Sequence, residues 1–362
     1  MKKYAFFLPQ FYEIEENNKW WGKGFTEWTN IKKAQRFYKE QVLQKPLNDN
    51  YYNLLDKDTM RWQTKVMHDY SIDGLIYYHY YFGNSKMIME KPAENLLKWR
   101  DIDQSFFFCW ANHSFTKGWP KKEILVKQEY GDRDEWEKHF NYMLQFFKDP
   151  RYLKENNKPL FMLFKSDFEQ KNRMMAYFDS RCKEEGFNGI CVIESYHGNG
   201  WPNSFKKMEN EKTSFSRYVF IREPAFETYA YKYAQNKIRY FNILIREVLC
   251  KLNISKKIEI FNGNELLNIK MNSEPKGPGI IHGISFQWDN TARHGRKGYV
   301  ITPIDKEKFY LYMNRIGKEK YLFINAWNEW SEGMVLEPTD VYKYKYLEWI
   351  KEWEKTNGKL SN

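Results

Sequence analysis

Eight short apolar runs, spread through 362 residues, limit most strongly how this chain can fold. Each run has four to six residues and is bounded by turn-forming or charged residues, which is typical of strands buried on both faces. The predicted strands are residues 4–8, 74–78, 105–110, 160–164, 189–193, 218–221, 279–284 and 321–324. No internal repeat or low-complexity tract interrupts them, so we expect one continuous fold.

Stretches with helical periodicity separate these runs. The predicted helices are residues 57–70, 92–99, 132–148, 170–185, 226–252, 305–316 and 342–353. Alternating strands and helices indicate an α/β fold, a (β/α)8 TIM barrel that forms a single domain over residues 1–362 with long loops after its strands. A doubly wound open sheet is the alternative. In the barrel, chemistry is expected at the carboxyl ends of the strands.

The net charge of +11 raises the question of an anionic partner. Lysine and arginine are scattered among acidic residues without a nucleic-acid-binding motif, so we predict no nucleic-acid partner. The most lysine-rich part, 206–276, is predicted to be a basic helical excursion from the barrel. It is a candidate for peripheral contact with an anionic membrane or a lipid-linked glycan. The oligomeric state is left open.

The cysteines and the lengths of the apolar runs indicate where in the cell the protein is expected. Cys109, Cys182, Cys191 and Cys250 lie far apart and mostly within apolar sequence, which is typical of reduced, buried thiols. A cytoplasmic location is therefore predicted. The apolar residues after Met1 end at Pro9, too soon for a signal peptide, and no run approaches the length of about 18 residues that a transmembrane helix needs.

Two carboxylates follow the last predicted strand, in the segment from Asn325 to Gly333. Acid and base chemistry on a sugar needs two carboxyl groups whose surroundings separate their pKa values, and Glu329 and Glu332 can supply that pair. In a helical turn, residues three apart share a face with Cβ atoms roughly 5 to 6 Å apart. The indole rings of Trp327 and Trp330 would offer flat apolar faces to a sugar.

Polar and aromatic residues also follow other predicted strands, where a barrel would gather them into one pocket. Amides, carboxylates and histidines suit sugar hydroxyls, and aromatic rings suit the apolar face of a pyranose. The candidate substrate-binding residues are Gln10, Tyr12, Trp28, His79, Tyr80, Trp110, Asn112, His113, Glu194, Trp288, Asp289, Asn290, Trp327, Asn328 and Trp330. Neither zinc spacing nor a phosphate-binding glycine loop is visible, so no metal and no cofactor is predicted.

Six motifs, in order and over nearly the whole chain, resemble the WbsX-type glycosyltransferase family, whose members carry a domain similar to glycoside hydrolase family 99. They are residues 7–12, 20–30, Asp73-Gly74, 109–112, 288–291, and 325–333 with 336–338. The resemblance implies a (β/α)8 barrel and a role in building or processing bacterial surface polysaccharide such as O-antigen, lipopolysaccharide or capsule.

Family 99 hydrolases are retaining endo-α-mannosidases, and their acidic motif matches Asn328, Glu329, Trp330, Glu332 and Gly333. The resemblance implies that Glu329 is the base on the sugar's own 2-hydroxyl, through a 1,2-anhydro sugar, and that Glu332 protonates the leaving oxygen. An ordinary retaining enzyme instead attacks the anomeric carbon with a carboxylate.

Residues 113–117 and Lys165-Ser166 depart from the family pattern, which leaves the substrate open. We therefore compare three hypotheses. The first is a glycosidase or transglycosylase that acts on an α-linked glycan in polysaccharide assembly. The second is a sugar-nucleotide-dependent glycosyltransferase on the same barrel, and the third is a non-catalytic carbohydrate-binding protein. The absence of a phosphate loop favours the first over the second, and the intact acidic pair argues against the third.

Overall fold

The computed structural model describes residues 1–118, 123–234 and 258–358, with a few further positions between 241 and 254. Its centre is a ring of eight parallel strands in chain order. They are β1 (Lys2–Phe7), β2 (Gly74–Tyr81), β3 (Phe106–Trp110), β4 (Lys158–Leu163), β5 (Cys191–Tyr196), β6 (Ser216–Ile221), β7 (Ile280–Ser285) and β8 (Tyr321–Asn325).

The ring is closed because β1 pairs with two strands. Lys2 lies opposite Tyr321 of β8, and Tyr4 lies opposite Gly74 of β2. Every other barrel strand pairs with the strands before and after it. This closure confirms the predicted (β/α)8 barrel and rules out the open doubly wound sheet. All eight predicted strands are present, with ends that differ by at most three residues.

Helices lie between the strands and pack on the outside of the ring. They span Glu15–Trp21, Glu27–Lys33, Lys57–Asp69, Lys91–Lys98, Arg133–Phe147, Lys171–Glu184, Asn203–Glu211, Ala225–Ala234, Gly263–Ser273, Thr291–His294, Lys306–Ile316 and Lys345–Gly358. The helix Arg133–Phe147 buries its apolar face, with Phe140, Met143 and Phe147 fully inaccessible. No helix in the described part of the chain is long and apolar enough to cross a bilayer.

Short strands outside the ring shape the loops at its carboxyl end. Phe115–Lys117 pairs with Glu123–Val126, and Asn328–Glu329 pairs with Met334–Val335. Tyr299–Ile301 pairs with both Glu259–Phe261 and Trp288–Asp289. Met87–Ile88 pairs with the carboxyl end of β2, whereas Lys154–Glu155 pairs with the start of β4 at the opposite end of the ring. The predicted long loops after the strands therefore carry structure of their own.

Aromatic rings fill the interior of the ring. Phe6 packs against Phe220 at 5.4 Å and against Tyr78 at 5.5 Å between ring centroids. Phe323 lies 5.2 Å from Phe220 and 5.6 Å from Phe107. Such contacts give a packed core rather than a channel, as is usual in this architecture.

The basic segment 206–276 includes part of the barrel itself, because β6 lies within it. The described helix Ala225–Ala234 begins one residue before the predicted helix, most of whose remainder, to residue 252, lies outside the described residues. Cys250 is also outside them. Cys109, Cys182 and Cys191 are buried free thiols, and burial raises the pKa of each to about 12.

Candidate active site

A cavity of about 800 Å³ opens at the carboxyl ends of the barrel strands. Three carboxylates line it, Glu27, Glu329 and Glu332, together with the cations Arg222, Arg293, Lys117 and Lys297. Aromatic walls are supplied by Trp21, Phe25, Tyr78, Tyr80, Phe115 and Phe164. The mixture of acids, cations and flat rings is suited to a polar ligand that has apolar faces, such as a sugar.

The acidic pair lies on a compact loop directly after β8. Glu329 ends the short strand Asn328–Glu329, and Glu332 ends the 3₁₀ turn Trp330–Glu332. Gly333 then turns the chain with φ of +60°, and a Cβ there would lie 3.0 Å from the backbone nitrogen of Asp289. Only glycine fits this left-handed position so close to another backbone. The turn brings both carboxyls to the same cavity.

Asn328 ties this loop to the first strand. Its Oδ1 accepts a hydrogen bond from the Leu8 backbone nitrogen at 2.7 Å, and its Nδ2 donates to the Leu8 carbonyl at 3.0 Å. Both ends of the amide are thus used inside the protein. Asn328 therefore positions the acidic loop and does not reach the cavity.

Glu337 anchors the loop from beneath. Its carboxylate accepts hydrogen bonds from Gln63 Nε2 at 2.6 Å, from the Tyr52 hydroxyl at 2.8 Å and from Trp330 Nε1 at 2.9 Å. Burial raises the pKa of Glu337 to about 7, and the three donors oppose that rise. Because Trp330 lies between Glu329 and Glu332, this buried network fixes the turn that separates the two acids.

Arg293 connects two of the cavity carboxylates. Its Nη1 donates to Glu332 Oε1 at 2.6 Å, and its Nη2 lies 3.3 Å from Glu27 Oε1. The other oxygen of Glu332 accepts from Trp288 Nε1 at 3.1 Å, and Glu27 also accepts from the Ser331 hydroxyl. Although burial works against the charge, the carboxylates of Glu27 and Glu332 raise the pKa of Arg293. Glu332 is thus held in one orientation by two donors.

Glu329 lies in different surroundings. It is 8% exposed, and burial, followed by the nearby charge of Glu332, raises its pKa to about 8. Arg293 and Arg222 act in the opposite direction. At neutral pH Glu329 therefore keeps its proton most of the time.

The structure brings five of the sequence-predicted site residues to the cavity: Gln10, Tyr80, His113, Glu329 and Glu332. Trp288 reaches the site through its hydrogen bond to Glu332. Tyr80 faces the cavity because side chains alternate along β2. By the same alternation His79 points outward, where its Nε2 lies 3.0 Å from that of His139, and burial lowers its pKa to about 3.

The other predicted residues do not line the cavity, because packing or protein hydrogen bonds occupy them. Tyr12, Trp28, Trp110 and Trp327 are buried, and Trp28 and Trp110 donate to the carbonyls of Tyr52 and Tyr81. Asn112 bonds the backbone of Lys165 with both ends of its amide. Glu194 accepts from Lys171, Asp289 accepts from Gln41, and Asn290 accepts from the Tyr299 backbone. Trp330 donates to Glu337.

Sequence reasoning missed Glu27, Arg222 and Arg293 as site residues. Arg222 follows β6 directly, so the strand-end rule that selected the other candidates applies to it as well. Glu27 and Arg293 belong to two short helices, Glu27–Lys33 and Thr291–His294, whose meeting point depends on the tertiary fold. An arginine that pairs with acids from two distant segments leaves no local pattern in the sequence.

Comparison with known proteins assigns this chain to a family. A family model described as "Glycosyltransferase WbsX" matches residues 3–350. The chain belongs to the WbsX family. Two curated relatives, both "Uncharacterized protein WxcX" from strains of Xanthomonas campestris pv. campestris, are 25% and 24% identical over 357 residues. These matches cover 95% of this chain and 48% of each relative, so the chain spans about half their length.

Solved structures similar to this WbsX chain share its fold. The GH99 endo-alpha-mannosidase from Bacteroides thetaiotaomicron is 13% identical with a TM-score of 0.55, over 98% of both chains. A "Glycoside hydrolase-like protein" is 12% identical with a TM-score of 0.56, over 97% of this chain and 93% of its own. At these identities the likeness to the solved structures is one of fold.

Proposed function

We propose that this protein is an enzyme that cleaves or transfers an α-linked glycan during the assembly or processing of a bacterial surface polysaccharide, with Glu329 and Glu332 as its acid/base pair. The observation that carries the proposal is the unequal environment of the two carboxyls in one cavity. Glu329 is desolvated with a raised pKa, whereas Arg293 and Trp288 bind Glu332. Such separation of two nearby acids is characteristic of acid/base catalysis.

The roles of the two acids follow from the family resemblance. Glu329 acts as base on the 2-hydroxyl of the sugar, and Glu332 gives a proton to the leaving oxygen. A carboxylate of raised pKa is a stronger proton acceptor than an ordinary one, which suits a sugar hydroxyl. The reaction needs one proton on the pair, so sugar binding must shift the proton that Glu329 keeps in the free protein to Glu332.

A sugar-nucleotide-dependent glycosyltransferase is the second candidate, since the family name printed for the matching model is that of a glycosyltransferase. Its donor would need a diphosphate site. An acid/base pair of this kind does not require a nucleotide donor, so it does not favour this second candidate. The pair also argues against a protein that only binds carbohydrate.

The test is incubation with the surface polysaccharide of the source cell, or with its lipid-linked precursor, in the presence and absence of sugar nucleotides. Mass analysis of the products then reports bond cleavage or transfer. We expect shortened or rearranged glycans without any nucleotide. Products that form only with a sugar nucleotide would establish the second candidate instead.

A further inference from the structure

The cavity holds more positive charge than its acids use. Among the described residues, Arg293 is the cavity cation that is ion-paired with carboxylates, those of Glu27 and Glu332. Arg222, Lys117 and Lys297 also line the cavity, and no ion pair to a carboxylate of the described chain is formed by any of them. Lys117 donates to the Trp20 carbonyl at 2.5 Å.

Arg222 is the most firmly built of these cations. Its guanidinium lies 4.3 Å from the ring centroid of Phe164 and 4.9 Å from that of Phe6. Its Nη2 donates to the Tyr78 hydroxyl at 2.5 Å, and its Nη1 has no hydrogen-bond partner in the described part of the chain. Aromatic faces hold the planar group in place but satisfy few of its five N–H donors.

A guanidinium that lines a cavity and keeps a buried, unused N–H group gains free energy when an anion binds it, so Arg222 is suited to a negatively charged ligand group. The neighbouring Glu329 is a poor counterion at neutral pH, because burial, followed by the charge of Glu332, raises its pKa to about 8. Glu27 and Glu332 are engaged by Arg293. The positive charge of Arg222, Lys117 and Lys297 is therefore available to a ligand.

We infer that the cavity takes a sugar bearing a negatively charged substituent, a carboxylate or a phosphate, and that Arg222 is its main contact. The inference rests on the proposed function and adds the substrate class to it. A planar guanidinium binds either anion through two parallel hydrogen bonds. Arg222 and Glu329 line the same cavity, so we place the charged substituent on the sugar on which that acid works.

The experiment is calorimetric titration with two matched pairs of methyl glycosides. One pair is methyl α-glucuronopyranoside and methyl α-glucopyranoside, and the other is methyl α-mannopyranoside with and without a 6-phosphate. We expect at least one charged glycoside to bind about tenfold tighter than its neutral partner, a preference that weakens with added salt. The two pairs distinguish carboxylate from phosphate.

Arg222→Met should abolish this preference, and Arg222→Lys should retain part of it. Arg217→Met is the matched control, because Arg217 is exposed on the same strand and outside the cavity lining. Thermal unfolding of each variant verifies the fold, and Lys297→Met tests the same charge at a second position if Arg222→Met does not fold.

Equal binding within both pairs, or a preference that persists in folded Arg222→Met, would overturn the inference. Tighter binding of uridine diphosphate than of any charged glycoside would also overturn it, because the cations would then serve a nucleotide. The proposed function is judged separately by nucleotide-free cleavage of the polysaccharide. It survives if cleavage occurs but charged and neutral glycosides bind alike.

Discussion

Arg293 binds Glu332 with 2.6 Å between Nη1 and Oε1, from the short helix Thr291–His294, 39 residues earlier in the chain. The same guanidinium reaches Glu27, so one cation orients one member of the acidic pair and neutralises the third acid of the cavity. The contact makes the position of Glu332 depend on a residue outside the acidic loop.

Arg293→Met should lower turnover by at least about tenfold, because Glu332 loses its orienting donor. Arg293 also lowers the pKa of Glu329, so the variant should ionise that acid at higher pH. The measurements are kcat and the pH profile of kcat/KM. Arg296→Met, an exposed change in the next turn, should match the wild type. Wild-type kinetics in Arg293→Met would contradict a positioning role.

Replacing either acid of the pair tests the chemistry directly. Glu332→Gln and Glu329→Gln should each lower turnover by at least about a hundredfold. A glycoside with a dinitrophenol leaving group, which needs no protonation, should restore much of the rate to Glu332→Gln but not to Glu329→Gln. The opposite pattern of rescue would exchange the two roles. Near-normal activity in either variant would reject the assignment.

The pH profile of kcat/KM should fall above a pH of about 8. Burial and the charge of Glu332 raise the pKa of Glu329 to that value, and above it Glu329 loses its proton. Catalysis needs a proton on either Glu329 or Glu332. The fall of kcat/KM at high pH is therefore expected whichever of the two acids donates the proton. A rate that stays constant to a pH of about 10 would show that the pair does not control the reaction.

Glu329→Gln should stabilise the fold as pH rises. Between the ordinary glutamate pKa of 4.5 and about 8, the unfolded chain is ionised at this position while the folded chain keeps its proton, so the wild type loses stability through that window. The variant avoids this loss. Its Tm should exceed that of the wild type by at least about 2 °C at pH 8, and by less at pH 5.5. Glu348→Gln, at an exposed position, is the control and should show no such trend.

Glu337→Gln should destabilise the protein, since all three partners of this carboxylate are donors and an amide cannot accept from all of them. An unsatisfied buried donor costs about 1–3 kcal/mol. We expect a lower Tm and slower turnover, because the turn that carries Trp330 loses its anchor. An unchanged Tm would show that the network does not hold the acidic loop.

The barrel could be predicted because each buried strand leaves a short apolar run in the sequence. The acidic pair could be found for a similar reason, since one continuous segment follows β8 and contains both residues. His79 shows where such reasoning ends. Its place after an apolar run favours the pocket, yet β2 continues to Tyr81, and the alternation of side chains turns His79 outward.

The sequence could not predict which residues from distant segments meet at the site. Glu27 and Arg293 are 266 positions apart, and their ion pair exists only after the barrel closes. Asn112 follows β3 and Glu194 lies within β5, and backbone and lysine partners occupy their polar atoms. A linear pattern shows which groups are near a strand end and not which partners they find there.

The rings of Phe6, Phe220 and Phe323 plug the barrel axis below the acids. A saccharide therefore cannot pass through the barrel, and it must enter and leave the cavity at the carboxyl end of the strands. A product that stays bound in this opening blocks entry of the next substrate molecule. Under the proposed function, product release is therefore expected to be a slow step.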